Sequence, residues 1–491
     1  MSKGGDRMKG MPLLPALMLA LPPMAILDPA GISPAERVLA QSIQGLANRN
    51  GPRVWLLTDG IQARILEGIK KERPTPQVKD VWALLERFPS EVKGAVVYKL
   101  GTPSLNVATS LCGPLGAVAI EESLLPKAKG LKVLLDARGM SEVQAYERFR
   151  GRFGKGRVVE QVLDKPGHLR DYAIRHSAFT FDAADPEFRR RMVREAGPNA
   201  LAFGWGRDEF GWVSDVSAGG GTGLPADWCV NLSTLESLPS LNPLKAPAMP
   251  AVKREDNVRY VAFVLSDGDN IQWLTGGFAT DPKFYGNPVR GKFPMTWEIS
   301  GMLGHLAPRV LEEIYRTAKP NDDFIAGAGL PGYVFPNLAP DAKALAAQAA
   351  PYLKRSDLST FSVLNANDGS LDEVEPFLAL PNTTGAIYKD YSPYNRRKGE
   401  LKWFHNKPCM AYRFLLWEGL TDERQLAEQI RAMPTNPRTD PGSFALINVH
   451  AWSFGKSGGP LSAVERTIAM LPPNTRVISA NQLLSLLPKS R

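Results

Sequence analysis

Two aspartates one residue apart, Asp267 and Asp269, lie in the segment Ser-Asp-Gly-Asp-Asn at positions 266–270. The segment follows an apolar run at 260–265 that has the pattern of a buried strand. Carboxyl groups at the end of such a strand can serve as an acid, a base or a nucleophile. Two alternatives stay open, because the same residues suit a turn that caps the next helix, and their oxygens suit a divalent cation.

Further polar and aromatic residues follow other apolar runs in the C-terminal half. Glu298 and Asp368 are the candidates for a second catalytic carboxyl group. Substrate contacts are expected from Asn270, Trp273, Trp297, Tyr333, Asn365, Tyr388, Asp390, Trp417, Glu418, His450 and Trp452. Aromatic rings stack on sugar faces, amides and carboxylates bind hydroxyls, and two carboxyl groups divide the acid and the base or nucleophile roles. This mixture favours carbohydrate chemistry.

Several of these candidates also have a purely structural explanation. Glu298 could serve an ion pair, and because side chains alternate along a strand, Glu298 and Trp297 should face opposite sides of a sheet. The tryptophans would by default pack in a core or a loop. A single histidine such as His450 more often has a structural role with its hydrogen bonds satisfied.

The elements that must position these residues form a regular series. Eight candidate strands lie at 260–265, 295–299, 324–328, 361–364, 385–388, 409–413, 444–449 and 476–479. Most are followed by helical patterns, which lie at 307–318, 341–353, 422–432 and 463–471. Eight units of strand and helix predict a (β/α)8 TIM-barrel-like domain over residues 257–491. In such barrels the site lies at the carboxyl ends of the strands, where the candidate residues lie.

The N-terminal half has a different pattern. Ser33, Pro34 and Glu36 predict a capped helix start, and short apolar runs alternate with helical patterns over residues 24–165. We therefore expect an α/β region with a parallel sheet. No G-x-G-x-x-G follows any of its strands, so a Rossmann cofactor site is not supported. No cofactor is expected beyond the divalent cation considered near the two aspartates.

Residues 166–237 are rich in glycine and tryptophan and suggest a small subdomain. Its acidic and aromatic residues, among them Glu209 and Trp228, could fold over the barrel mouth and complete a cleft, since sites favour domain interfaces. The proline-rich stretch 238–256 has the composition of an exposed linker and marks the main domain boundary.

Composition narrows the classes of partner. The chain has 491 residues, a formal charge of +9 and only three cysteines, which are far apart. Its length predicts two or three domains. The basic residues are scattered and lack interleaved aromatics, so no nucleic-acid partner is expected. The cysteines form neither a disulfide framework nor a C-x-x-C metal site.

The N-terminus resembles a secretory signal. Lys3, Arg7 and Lys9 precede a short apolar run at 11–21. We interpret residues 1–23 as a signal peptide and expect export to the periplasm or beyond, although prolines interrupt the run. No later segment reaches the length of a membrane helix, so no stable membrane span is expected.

Three stretches carry a resemblance to a known family. They are 260–273 (YVAFVLSDGDNIQW), 293–299 (FPMTWEI) and 317–336 (TAKPNDDFIAGAGLPGYVFP). The chain resembles the proteins named for a G-x-G-Y-x-Y-P motif and classed as putative glycoside hydrolases. Gly332, Tyr333 and Pro336 fit the motif, whereas Leu330 and Phe335 replace its first glycine and second tyrosine. The resemblance implies an N-terminal α/β region joined to a barrel of glycosidase-like fold, often in exported bacterial proteins.

The leading hypothesis is a glycoside hydrolase that uses Asp267 or Asp269 with Glu298 or Asp368. A retaining enzyme would hold the two carboxyl groups about 5–5.5 Å apart and an inverting one about 6.5–9.5 Å. One alternative is a metal-assisted, polysaccharide deacetylase-like hydrolase, although the five histidines form no local His-x-x-x-His pair. Another is a non-catalytic glycan-binding protein that keeps the barrel as a platform.

Overall fold

The computed structural model describes residues 21–488 of the chain. The signal peptide expected at 1–23 therefore lies outside the described residues, apart from its last three positions. Within residues 21–488, no helix is long and apolar enough to cross a membrane.

Short strands and helices alternate through the N-terminal half. The strands are β1 (Ala25–Leu27), β2 (Val54–Leu56), β3 (Gln77–Val78), β4 (Gly94–Tyr98), β5 (Ala117–Glu121), β6 (Val133–Asp136), β7 (Arg157–Glu160), β8 (Phe179–Phe181), β9 (Leu201–Gly204) and β10 (Thr222–Pro225). The helices are α1 (Pro34–Ala47), α2 (Ile61–Ile69), α3 (Val81–Glu86), α4 (Ser104–Leu115), α5 (Glu142–Phe149), α6 (Arg170–His176), α7 (Pro186–Ala196), α8 (Glu209–Ala218) and α9 (Leu232–Ser237).

These strands form three small sheets, with the orders β2-β1-β3, β5-β4-β6 and β10-β9-β7-β8. Every pairing in them is parallel, as predicted for an α/β region. Helix α1 begins at the predicted cap. The Ser33 hydroxyl accepts a hydrogen bond from the Glu36 amide, and the Glu36 carboxylate accepts one from the Ser33 amide. This capping box satisfies two amides that the helix itself leaves without partners.

A buried amide network joins α1, β2 and the start of α9. Asn231 has a left-handed backbone, with φ of 63°, and is fully buried. Its Oδ1 accepts hydrogen bonds from Gln44 Nε2 at 2.7 Å and from the Leu56 amide at 2.8 Å. Its Nδ2 donates to the Leu56 carbonyl at 2.7 Å and to Gln62 Oε1 at 3.0 Å. One side chain thus ties the start of α9 to segments that lie 169 to 187 residues earlier in the sequence.

The C-terminal half begins after a stretch, between α9 and β11, that contains no helix or strand. Its strands are β11 (Arg259–Leu265), β12 (Met295–Ile299), β13 (Asp322–Ala326), β14 (Thr360–Asn365), β15 (Gly385–Asp390), β16 (Leu401–Phe404), β17 (Lys407–Ala411), β18 (Phe414–Leu416), β19 (Phe444–Val449) and β20 (Thr475–Val477). Its helices are α10 (Ile271–Leu274), α11 (Leu303–Leu306), α12 (Pro308–Arg316), α13 (Ala342–Ser356), α14 (Glu375–Leu378), α15 (Glu423–Arg431), α16 (Gly459–Ala469) and α17 (Ala480–Leu486).

These ten strands form one sheet, with the order β16-β17-β15-β14-β13-β12-β11-β19-β18 and with β20 paired to β11. All pairings are parallel except that of β16 with β17. β17 pairs with β15, whereas β18, which starts after only two intervening residues, pairs with β19 near the other end of the sheet. The sheet therefore curls, because one short run of chain takes part in pairings near both ends.

The full (β/α)8 barrel of the prediction is not seen. A regular barrel would place its last strand between the seventh and the first. Here β19 pairs directly with β11 along six residue pairs. Tyr260 of β11 has partners in both β19 and β20, so β20 lies on the edge of β11 opposite to β19. The structure supports the coarser part of the prediction, namely parallel strands and helices arranged around a curled sheet.

Side chains alternate between the two faces of each strand, so that a separate hydrophobic core forms on each face of the sheet. Val261, Phe263 and Leu265 of β11 pack with residues of α12 in one cluster. Tyr260 and Val264 belong to the other cluster, on the opposite face of the same strand. Both faces of β11 are buried, which accounts for its continuous apolar sequence.

The amide network predicts a large cost for one substitution. We expect Asn231→Ala to lower the free energy of unfolding by about 2–4 kcal/mol, because several buried partners would be left without hydrogen bonds. Guanidinium denaturation followed by circular dichroism measures this change.

Asn257→Ala provides the matched control. Asn257 also has a positive φ, of 58°, but its side chain is exposed and has no hydrogen bond to residues 21–488. The free energy of unfolding of this variant should fall by no more than about 1–2 kcal/mol, the cost of the left-handed backbone conformation for alanine. Equal losses in the two variants would contradict a structural role for the network.

Candidate active site

The loop after β11 carries the two aspartates. Gly268 lies against β12, and a Cβ at this position would stand 2.2 Å from the Glu298 carbonyl carbon, so only glycine fits. Asn270 caps α10, since its Oδ1 accepts a hydrogen bond from the Trp273 amide at 3.1 Å. Asn270 therefore fills the capping role that was considered for Asp267, and both aspartates line a cavity instead.

This cavity has a volume of about 460 Å³, within the roughly 300–1,000 Å³ usual for small-molecule sites. Residues of both halves of the chain form its wall. It is lined by Lys165, Trp205, Glu209, Asp227, Trp228, Asp267, Asp269, Asn270, Gln272, Ala328, Tyr333, Leu364, Lys389, Tyr391, Ser392, Tyr394, Trp417, His450 and Trp452. We call it the active-site cavity.

Asp269 is a deeply buried carboxyl group of the cavity, with 6% of its surface exposed. Burial raises the pKa of Asp269 well above its usual value, and the charges of Asp267 and Glu209 raise it further. The ammonium group of Lys389 opposes this shift. The raised pKa favours the protonated form of Asp269, which is the form that can donate a proton to a substrate.

Asp267 has a different environment. It is half-buried, and its backbone is left-handed with φ of 70°. Its Oδ1 accepts a hydrogen bond from Trp452 Nε1 at 3.1 Å, and its Oδ2 accepts one from the Ser266 hydroxyl. An ionised carboxylate, which only accepts, satisfies both bonds. Two neighbouring carboxyl groups thus differ in burial and in hydrogen bonding.

A third carboxyl group comes from the N-terminal half. Glu209 is the first residue of α8, and its Oε1 accepts a hydrogen bond from the Tyr333 hydroxyl at 2.7 Å. Burial raises the pKa of Glu209, while the bond from Tyr333 opposes the shift. The Tyr333 backbone pairs with Gly223 of β10 in both directions, at 2.8 and 2.9 Å. Tyr333 therefore anchors the loop after β13 to the N-terminal half and holds Glu209 at the cavity.

Aromatic rings form one side of the mouth. Trp417 and His450 are stacked, with centroids 3.9 Å apart and planes inclined by 4°. Burial lowers the pKa of His450, and the charge of Asp267 opposes this shift. Trp452 is 50% exposed and packs on Trp273, with a centroid distance of 5.0 Å. Trp273 therefore supports an aromatic surface of the mouth and does not itself line the cavity.

Glu298 serves a buried ion pair, which was the structural alternative. Its two carboxylate oxygens accept hydrogen bonds from Lys389 Nζ at 3.0 and 3.1 Å, and Oε1 accepts one from the Tyr412 hydroxyl at 3.2 Å. Both members of the pair are 1% exposed. Lys389 lines the cavity, whereas Glu298 does not. Its neighbour Trp297 faces the opposite side, as alternation predicted, and packs in the helix-side core rather than on a substrate.

Other predicted residues also lie elsewhere. Asp368, which was predicted as a second catalytic carboxyl group, has a side chain that is 92% exposed, lies outside the cavity and stands 3.6 Å from Arg396. Glu418 is exposed, and its Oε2 accepts a hydrogen bond from the Phe454 amide. These positions follow the strands in sequence, but their loops turn the side chains away from the cavity.

Asn365, Tyr388 and Asp390 are buried together beside the cavity and do not line it. The Tyr388 hydroxyl donates to Asp390 Oδ1 at 2.7 Å, and Asn365 Nδ2 donates to the Tyr388 hydroxyl at 3.2 Å. The set stabilises the ends of β14 and β15. The predicted residues that do meet in the cavity are Asp267, Asp269, Asn270, Tyr333, Trp417, His450 and Trp452.

Several lining residues were not predicted. Tyr391 directly follows β15 and Tyr394 lies in the same loop, and this position at a strand end could have identified them. Lys165 and Trp205 come from loops of the N-terminal half, for which the sequence offers no comparable signal. Glu209 and Trp228 lie at the cavity, in the position suggested for them over the mouth.

The divalent cation near the two aspartates remains a prediction. Among residues 21–488, no group of three or more His, Cys, Asp or Glu side chains is arranged to hold a metal ion.

Comparison with known proteins identifies the family. Three family models match: the GxGYxYP_N second domain at residues 92–153, the GxGYxYP third domain at 157–237, and the GxGYxYP putative glycoside hydrolase C-terminal domain at 257–487. No curated protein matches the chain.

Two solved structures are similar to parts or all of the chain. A crystal structure described as a putative hydrolase from Bacteroides thetaiotaomicron VPI-5482 is 30% identical, with a TM-score of 0.86 over 95% of this chain and 94% of that one. A crystal structure described as a putative polysaccharide deacetylase from Mycobacterium smegmatis is 14% identical, with a TM-score of 0.29 over 50% of this chain and 98% of that one. From the three family models and the full-length similarity, the chain belongs to the GxGYxYP putative glycoside hydrolase family.

Proposed function

We propose that this protein hydrolyses glycosidic bonds, with Asp269 as the proton donor and Asp267 as the carboxylate that attacks or activates water. One observation carries the proposal. Four carboxyl groups, those of Glu209, Asp227, Asp267 and Asp269, line one cavity together with aromatic rings, and the environment of Asp269 favours its protonated form. Carboxyl groups with contrasting environments are the arrangement that glycoside hydrolysis requires.

The chemistry follows from these environments. Asp269 protonates the oxygen of the bond to be broken, so the leaving sugar departs as an alcohol. Asp267 then either bonds to the anomeric carbon or removes a proton from the attacking water. In the first case Asp269, now ionised, takes a proton from the water that releases the sugar. In the second case the proton of the water stays on Asp267, which loses it to solvent, and Asp269 takes up a proton from solvent before the next turnover.

Lys389 tunes this cycle. Its charge lowers the pKa of Asp269 against the effect of burial, so it stabilises the carboxylate left after proton donation. Glu298 holds Lys389 in place through the buried ion pair. The exposed face of Trp452 and the stacked Trp417 offer flat surfaces for sugar rings.

The proposal predicts a specific loss of activity. Against a panel of aryl glycosides and polysaccharides, wild-type protein should release reducing sugar, and Asp269→Asn should lower kcat by about 10²–10⁴-fold, the usual contribution of a general acid. Asp368→Asn is the matched control, because it makes the same change at a carboxylate outside the cavity. Its activity should equal that of wild type.

Thermal unfolding separates lost chemistry from lost structure. Asn at position 269 removes a buried group whose ionisation is costly, so this variant should melt no lower than wild type at neutral pH. Full activity of Asp269→Asn would sink the assignment. Turnover that a chelator removes and a divalent metal restores would favour a metal-assisted hydrolase, and glycan binding without any turnover would favour a binding protein.

The pH profile tests the electrostatics. Activity should fall as pH rises through the pKa of Asp269, because the donor loses its proton. Glu209→Gln removes a charge that raises this pKa, so the falling limb should move to lower pH. The double variant Lys389→Met, Glu298→Gln removes the positive charge that lowers the pKa of Asp269. It leaves no unpaired buried charge, because both members of the ion pair are neutralised. The falling limb of its pH profile should therefore move to higher pH.

The readout is the pH dependence of kcat/KM in the three proteins. If these substitutions acted only on structure, they would lower kcat/KM, but they would not move the falling limb of the pH profile to lower pH in one variant and to higher pH in the other. Shifts in the same direction would contradict the assignment of Asp269 as the acid.

A further inference from the structure

Trp228 is a large aromatic side chain that is exposed and nevertheless fixed. It is 56% exposed. Its amide donates to Gln272 Oε1 at 2.7 Å, and the ammonium of Lys165 lies 4.7 Å from the ring centroid. His168 packs edge-on at 4.9 Å. Lys165 and His168 thus hold the indole in place at the surface, and Gln272 fixes the backbone that carries it.

A second cavity, of about 370 Å³, lies beside the active-site cavity. Trp228 and Gln272 line both, so they form the wall between them. Thr58, Asp59 and Thr280 bring hydroxyl and carboxylate oxygens to its lining. The cavity therefore combines an aromatic surface with groups that bind hydroxyls, as a sugar subsite does.

The second cavity is built from both halves of the chain. Gly60 has φ of 71°, and a Cβ there would stand 2.8 Å from the Gly276 carbonyl oxygen, so the two loops approach as closely as glycine allows. Gln62 is buried, and its Nε2 donates to the Thr275 carbonyl at 3.0 Å and to the Val230 carbonyl at 3.3 Å. These contacts fix the three segments around the cavity before any ligand binds.

We propose that the second cavity is a distal sugar subsite, and that the substrate is an oligosaccharide or polysaccharide chain. The chain would run from the active-site cavity across Trp228 into the second cavity. The inference rests on the proposed function and adds a substrate class to it. A single glycoside fills only the active-site cavity, whereas a longer chain also gains contacts with Thr58, Asp59 and Thr280 of the second cavity.

Blocking the second cavity tests this subsite. Gly277 lines only the second cavity, is exposed, and a Cβ there would meet no atom within 4 Å, so a large side chain can enter the space. Gly277→Trp should leave kcat/KM for aryl monosaccharides unchanged. For oligosaccharides it should lower kcat/KM about tenfold, mainly through KM, the scale of one lost stacking contact.

Trp228→Ala should lower kcat/KM more for oligosaccharides than for aryl monosaccharides. Leu241→Ala is the surface control, because Leu241 is 64% exposed and lines neither cavity. It should change neither activity. Equal effects of Gly277→Trp on short and long substrates, or none on either, would overturn the subsite.

The two proposals can fail separately. If wild-type protein hydrolyses no glycoside, the proposed function fails. Calorimetry with cello-, xylo-, manno- and chito-oligosaccharides, from disaccharides to hexasaccharides, then decides the subsite. Weaker binding of the longer chains to Gly277→Trp than to wild type supports it, whereas equal binding, or no binding of any chain to wild type, overturns it.

Discussion

The buried ion pair between Lys389 and Glu298 is the interaction on which the site depends. A charge in a sheet interior must be paired and hydrogen-bonded, and Glu298 meets this need through Lys389 and Tyr412. The pair joins β12 to β15 across the curled sheet. Because Lys389 also lines the cavity, its charge acts on the pKa of both Asp269 and His450. One structural interaction thereby places a positive charge at the candidate active site, where it acts together with burial and the charge of Asp267.

The residues that local pattern could identify are those at the end of a buried strand. Asp267 and Asp269 follow the apolar run of β11 and line the cavity, as position alone suggested. Alternation also predicted that Glu298 and Trp297 face opposite sides. Alternation could not reveal on which face of the sheet Glu298 has an ion-pair partner, because Lys389 lies 91 residues further along the chain. The position of Glu209 was harder still to predict, because a hydrogen bond from Tyr333, 124 residues away in the sequence, holds its side chain at the cavity.

The curled sheet shows the same limit at the level of fold. Periodicity located most of its strands, because a buried strand has a recognisable sequence. The pairing order depends on long-range register, which local patterns do not contain. The last strand was thus expected between the seventh and the first, whereas β20 pairs with the opposite edge of β11. The carboxyl ends of the strands still meet on one side of the sheet. The candidate site therefore lies where it was predicted, although the strand order differs from that of a regular barrel.

The proton on Asp269 connects stability with the proposed chemistry. An unfolded aspartate has a pKa of about 3.9, and burial raises the folded value above it. Between these two values the folded chain binds more protons than the unfolded chain, so stability falls as pH rises through this window. Above the folded pKa the full cost remains, because a charge is then held in a buried site. The buried position of Asp269, the proposed acid, therefore lowers the stability of the fold. Lys389, which Glu298 holds in place, reduces this loss.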